Sequence, residues 1–244
     1  MKTLSYASGG VRPNTDGTLA SLREVQKRDG VDAFVVLNIA TNPAQMKKVN
    51  DFAASLQGDG VYAFGSVHPD APDALDELER IKALGLKGVK LHPEYQGFFA
   101  DEDRMIPIYK KISSLGLAVT FHAGYDPGFR PPYHATPERI ARALRNLDTT
   151  VIAAHWGGLE MDEDVAKHLY GLPIYLDTAY GCGVISRYAA MRAIEKHGAD
   201  KILFGSDTPW HAPYMELDML ETLELSESEK NAILWENGMK ILEG

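Results

Sequence analysis

The sequence predicts an α/β protein built as a (β/α)8 barrel whose first strand is missing or atypical. Three observations predict it. Seven short apolar runs recur along the 244 residues, helix signals fill the intervals, and the runs look buried on both faces, as parallel strands do. The runs start at positions 31, 60, 87, 117, 150, 173 and 201, in steps of 29, 27, 30, 33, 23 and 28 residues. Each step is the length of one strand-helix unit.

A helix over residues 18–28 comes first, followed by VDAFVVLN (31–38), GVYAFGSV (60–67), KGVKLH (87–92) and LAVTFH (117–122). Next comes a helix start at Thr136-Pro137, where Thr136 can cap and Pro137 fits a position whose amide hydrogen would be unpaired anyway. TVIAAH (150–155), PIYLDT (173–178) and KILFGSD (201–207) complete the strands. Gly85, Gly116 and Gly198 stand where helices hand over to strands and a left-handed residue is needed. Ser226 and Glu229 form a capping box opening a last helix, with Ala232, Ile233, Leu234, Met239, Ile241 and Leu242 as its apolar face. VLNIATNP stands where a nucleotide-binding doubly wound sheet would carry its glycine-rich phosphate turn, so that alternative loses ground. With no low-complexity linker, residues 1–244 are expected to form a single domain.

The strand count leaves a gap. A helix already precedes the first run, so the repeat calls for an eighth strand upstream, where SGGVRPNTDG and the residues before it remain. Either MKTLSY serves as a very short strand, or the first strand is not in this chain. Two strands left without their common neighbour are an association hazard, and a homodimer covering the gap is expected.

Composition narrows the function classes. Lys and Arg number 25 against 34 Asp and Glu, a net charge of −9, and 45% of residues are hydrophobic. That excludes a disordered chain and lacks the basic stripe of a nucleic-acid binder. Cys182 is the single cysteine, which fits a reducing compartment. No apolar run reaches the roughly 18 residues of a membrane span, and no signal peptide opens the chain, so a cytoplasmic location without a membrane partner is expected.

Chemistry concentrates at the strand ends. Of eight histidines, His68, His92, His122 and His155 fall at or just past a strand's C-terminal end, where Asp207 also closes the last strand. In a parallel barrel those ends share one face, and imidazoles with a carboxylate there suit a divalent ion such as Zn2+. The small residues after His122 (FHAG) and His155 (AAHWGG) are read as leaving room for a ligand. His68 and His92 precede proline, so a turn with a hydrogen-bonding imidazole competes with substrate contact. Lys90 shares a strand face with His92 and is read as pointing into the barrel mouth, or as a snorkelling structural lysine. Asp177 reads as a structural hydrogen-bonding group, and His168 and His197 as surface residues of helices.

GLKGVKLHPEYQGF, TFHAGYDPG, AAHWGG, LDTAYG and LFGSDTPW, in that order, resemble the amidohydrolase-related (amidohydrolase 2) branch of the amidohydrolase superfamily, over residues 14–244. The resemblance implies a (β/α)8 barrel holding one or two divalent ions. Its members hydrolyse amides, esters or lactones, and some relatives decarboxylate or hydrate small carboxylic acids. It makes His122 the fifth-strand metal ligand, and His155 the sixth-strand residue that binds a second metal or contacts the substrate. Asp207 becomes the eighth-strand metal ligand that also takes the proton from water, and Lys90 matches the position of a carboxylated lysine. Tyr125, Arg130, Tyr133 and His134 become contacts for a carboxylate substrate, with the Arg130 fork suited to two oxygens.

The chain departs from the family in having no His-x-His at a first strand, and residue 1 is expected to start about 20 residues too late, through a misplaced start, a truncation or a true loss. With only His122, Asp207 and His155 remaining as protein ligands, metal binding is expected to be weak or absent. The expected activity is hydrolysis of a small-molecule amide, ester or lactone by metal-activated water, with Asp207 as general base and His155 polarising the substrate oxygen. The alternatives are a decarboxylase or hydratase on the same scaffold, or a metal-poor barrel without catalysis.

Overall fold

The computed structural model describes residues 10–243. The expectation that MKTLSY forms a strand lies outside the described residues. All seven predicted strands form, each shorter than its apolar run. The order is α1 (Leu19–Asp29), β1 (Phe34–Leu37), α2 (Met46–Leu56), β2 (Val61–Phe64), α3 (Ala74–Ala83), β3 (Gly88–Leu91), α4 (Ile106–Ser114) and β4 (Ala118–Phe121). Then follow α5 (Pro137–Ala143), β5 (Val151–Ala153), α6 (Asp162–His168), β6 (Tyr175–Asp177), α7 (Arg187–His197), β7 (Ile202–Leu203) and α8 (Pro213–Glu221). The chain closes with α9 (Glu227–Asn231), a π-helical turn (Ala232–Glu236) and α10 (Asn237–Glu243).

The capping grammar is realised. The Thr18 side chain accepts from Ser21 N at the start of α1, Thr136 accepts from Arg139 N with Pro137 in the first turn of α5, and Ser226 and Glu229 cap each other at α9. Replacing Ser226 with Ala is expected to cost about 1 kcal/mol. Urea unfolding that places the variant within a few tenths of the parent would contradict that assignment.

Every strand pairing is parallel. β1 pairs with β2, and β3 through β7 pair in chain order. Gly65 joins the two groups: its N–H donates to Gly88 O (2.9 Å), and its carbonyl accepts from Lys90 N (2.8 Å). Gly88 must be small there, because a Cβ would lie 2.7 Å from Ala118 O. β3 and β4 are buried throughout, as strands covered on both faces must be. Leu91, Phe121, Leu78, Ile81 and Ile112 are among the side chains of the core between strands and helices. Among the described residues no helix is long and apolar enough to cross a membrane.

Three expectations are corrected. The last strand stops at Leu203, because Phe204 N donates to Ile233 O (2.9 Å) in the π-helical turn rather than to a neighbouring strand. That turn also rotates the closing helix, so Ile233 and Leu242 are buried while Leu234 is exposed. His197 is not a surface residue: it is buried, accepts from Gly171 N (3.2 Å) and donates through Nε2 to Ile174 O (2.9 Å), tying α7 to the approach of β6. Among the described residues β1 and β7 are paired on one side only, and a cavity of about 370 Å3 lined by Phe34, Val36, Leu203, Ile233 and Met239 lies between them.

Candidate active site

The C-terminal ends of β3, β4 and β5 bring His92, His122 and His155 together. His122 and His92 stack with ring centroids 4.1 Å apart, and His155 meets the His122 ring edge-on at 4.8 Å. His155 Nε2 is 3.1 Å from His122 Nδ1, and His155 Nδ1 is 3.1 Å from Ala179 O. Asp177 holds the backbone rather than a ligand: its Oδ1 accepts from His155 N (2.8 Å) and Ala179 N (3.1 Å). His92 also caps the one-turn helix Pro93–Gln96, its Nδ1 accepting from Tyr95 N at 3.4 Å, which is the turn role open to a histidine before proline. His68 does the same for Asp70 N (3.2 Å).

One cavity of about 160 Å3 collects these groups. Lys90, His92, His122, His155 and Asp207 line it, with Leu37, Ile39, Tyr95, Tyr180 and Trp210 as walls. Tyr125 and Arg130 do not line it. Tyr125 packs edge-on against Tyr133 (5.6 Å), and Arg130, which follows the turn at Asp126–Phe129, is exposed.

Backbone strain gathers at the same rim. His155, Trp156, Tyr180 and Asp207 all have φ between +56° and +64°, which side-chain-bearing residues avoid at a cost of roughly 1–3 kcal/mol each. Glu216 holds the rim from behind: one carboxylate oxygen is 2.6 Å from His211 Nδ1, and the other accepts from Gly181 N (3.1 Å) and Cys182 N (2.9 Å). The His211 ring in turn stacks on Tyr180 at 4.0 Å.

Burial sets the charge states. It pushes His92 and His122 well below the usual imidazole range, with Lys90 and His155 adding to the shift at both and His92 adding to it at His122, so both stay neutral and keep a lone pair. Lys90 is brought down to about 8 by burial, with Asp177 and Asp207 opposing the shift. Asp207 is pushed above the usual carboxylate range, chiefly by burial, with His155 and Lys90 pulling the other way. Its side chain faces the cavity, so it is half-exposed by area yet walled by protein.

Asp126 is the residue that sequence reasoning passed over. It follows His122 by four positions, is buried, and brings Oδ2 to 3.5 Å from His92 Nε2 and 4.0 Å from His122 Nε2. One donor atom from each of His92, His122 and Asp126 lies within 4.8 Å of the others. Neutral imidazoles beside a carboxylate are the donor set a divalent ion needs, since ligands must be unprotonated, so these residues fit a metal. The available signal was an acidic residue one helical turn's spacing beyond a strand-end histidine, which in a loop carries no geometric prediction.

The small residues after His122 and His155 serve packing. Gly124 (φ +87°) lies against the backbone of Leu159, where a Cβ would sit 2.5 Å from Gly158 C and 2.6 Å from Leu159 O. A parallel bridge between Gly124 and Leu159 ties the two rim loops together. A Cβ at Gly157 would meet Leu176, and one at Gly158 would meet Pro137.

Known proteins share this architecture. No curated protein matches the sequence. Among solved structures, an uncharacterised TIM-barrel protein from Bordetella bronchiseptica is 20% identical with a TM-score of 0.79, over 99% of this chain and 90% of that one. A 2,6-dihydroxybenzoate decarboxylase complexed with 2,6-dihydroxybenzoate is 18% identical with a TM-score of 0.72, over 100% and 96%. A dihydroxybenzoic acid decarboxylase from a Polaromonas species, with manganese and the inhibitor 2-nitroresorcinol bound, is 17% identical with a TM-score of 0.72, over 99% and 93%. The model of the amidohydrolase family matches residues 4–243, so the chain belongs to that family and has an α/β fold of parallel strands shared with TIM-barrel proteins.

Proposed function

We propose that this chain is a metal-assisted lyase that removes the carboxyl group from a small aromatic carboxylic acid. The observation that carries the reading is the cavity. Its volume of about 160 Å3 compares with the roughly 150 Å3 apolar cavity that accepts benzene, so it holds one ring. Its lining is mostly apolar and includes Lys90 and Asp207. The decarboxylases of similar fold act on molecules of this size and kind. Hydrolysis of an amide, ester or lactone, with Asp207 as base, is the second reading, favoured by the family match itself.

Leu37, Ile39, Tyr95 and Trp210 exclude water and hold the ring. Lys90, charged below about pH 8, attracts the carboxylate. Burial favours the neutral acid form of Asp207, which suits it to donate a proton to the ring carbon that bears the carboxylate. The bond from that carbon to the carboxyl carbon then breaks, CO2 leaves, and the bonding pair restores the aromatic ring. Asp207 remains as a carboxylate beside Lys90 and His155 and regains its proton from solvent. His155, fixed through Ala179 O and its own backbone, positions the His122 ring through its Nε2. His122, with His92 and Asp126 beside it, would hold a divalent ion; when bound, that ion supplies Lewis-acid stabilisation of anionic oxygens.

The test is product analysis with manganese-loaded protein. Carboxyl-labelled hydroxybenzoates are expected to release CO2, while phenyl esters and anilides of similar size are expected to survive. Ester or anilide cleavage without CO2 would replace the lyase with the hydrolase. The Lys90 charge adds a pH signature. Benzoate-type anions are expected to bind progressively more weakly as pH rises through about 8, because the lysine loses its charge there. Calorimetric affinities that are flat from pH 7 to 9 would remove Lys90 from anion recognition.

A further inference from the structure

A packed barrel core leaves few voids larger than a water molecule, and the space enclosed by these strands departs from that. The cavity of about 370 Å3 between β1 and β7 shares Leu37, Lys90, His155 and Asp207 with the smaller cavity of the candidate site, so the two adjoin at one wall. Lys90, Thr120 and Ile152, neighbours in register on β3, β4 and β5, line it as one layer. Beyond that layer Phe34, Val36, Phe64, Leu203, Ile233 and Met239 make it mainly apolar. Leu242 also lines it and clusters with Phe64, Ala118 and Ile152, which places the closing helix across one end. Val35, Leu234 and Trp235 line it too and are exposed, so its open side is apolar as well.

A polypeptide strand is a poor occupant for this space. On the β7 side Ile202 O accepts from Asn237 Nδ2 (2.8 Å) and Phe204 N donates to Ile233 O (2.9 Å), so the closing helical segment already takes bonds that a neighbouring strand would need. Polar groups of a strand placed there would go unpaired, whereas a hydrocarbon needs no such partners. We infer that the cavity holds an apolar tail of the substrate: an aromatic carboxylic acid whose ring lies in the smaller cavity and whose hydrocarbon substituent runs past Lys90 and Asp207 into the space between the strands. This inference rests on the aromatic-acid reading above and narrows its substrate class. The two cavities together have the polarity of one amphiphilic molecule, with a cation where they adjoin and apolar side chains beyond it. The larger volume of about 370 Å3 is more than twice the roughly 150 Å3 that accepts benzene, which is room for a chain of about six carbons.

The experiment is calorimetric titration of the full chain with 3-alkyl and 4-alkyl benzoates whose straight chains have none, two, four or six carbons. In at least one series affinity is expected to rise roughly fourfold for each added methylene. Gly238 lies on α10 and lines the cavity, and a Cβ built on it meets nothing within 4 Å, so a larger side chain has room there. Gly238→Phe and Val36→Trp are each expected to abolish the rise while leaving affinity for benzoate itself within threefold. Affinities flat with chain length in the parent, or a rise that survives in both variants, overturn the inference. If a flat parent gains the rise once residues 1–9 are removed, or once dilution splits a dimer, the occupant is the chain's own N-terminus or a second copy, and the inference falls. Circular dichroism identifies a variant that fails to fold, and the other then decides. A rise with chain length in protein that releases no CO2 from any hydroxybenzoate would refute the reaction while leaving the tail site in place.

Discussion

Asp207→Asn is expected to lower kcat for decarboxylation about a thousandfold while leaving affinity for 2-nitroresorcinol within threefold. Positioned proton transfer typically contributes roughly 10^2–10^4 in rate, and an amide cannot supply the proton to the ring carbon. Burial favours the acid form of Asp207, and among the described residues no hydrogen bond reaches its carboxylate, so nothing nearby takes over the transfer. The left-handed backbone at Asp207 (φ +64°) holds the side chain in the cavity, and Asn tolerates that conformation as well as Asp does. A fall in affinity that matched the fall in kcat would show a binding role instead. Steady-state rates with a carboxyl-labelled substrate and titration with the inhibitor separate the two.

Gly124→Ala is expected to destabilise the protein by about 3 kcal/mol or more, a fall of roughly 6–12 °C in Tm for a chain of this length. The added methyl group would meet Gly158 C at 2.5 Å and Leu159 O at 2.6 Å, and both are backbone atoms that no side-chain rotation can move. The residue would also be forced to keep φ near +87°. Because the Gly124–Leu159 bridge fixes the loop that carries His122 and Asp126, metal affinity is expected to fall with stability. Thermal unfolding within 2 °C of the parent would show that the rim loops are less tightly joined than these contacts imply.

The strands were legible because parallel strands covered on both faces must be apolar on both faces, and β3 and β4 are buried at every position. Their exact ends were not legible. β7 stops at Leu203 because the next amide is taken by the Ile233 carbonyl from a distant helix, a partner no local pattern announces. His92, His122, His155, Lys90 and Asp207 could be gathered from sequence because strand order places strand ends on one face. The loop residues could not. Asp126 reaches back beside His122, while Arg130 four positions later is exposed, and only the turn between them decides which faces the cavity. Gly124 was visible as a small residue, but its neighbour is the Leu159 backbone and not a ligand. His197 reads as a surface residue on a helix until Gly171 and Ile174 are placed against it.

The proposed decarboxylation would leave a mark on its product. In D2O, manganese-loaded protein acting on 2,6-dihydroxybenzoate is expected to yield resorcinol carrying one deuterium at the carbon that held the carboxyl group, at a rate that Asp207→Asn lowers about a thousandfold. Proton magnetic resonance reads it directly. Substrate recovered intact, or a product formed without a new carbon–deuterium bond, would contradict the account.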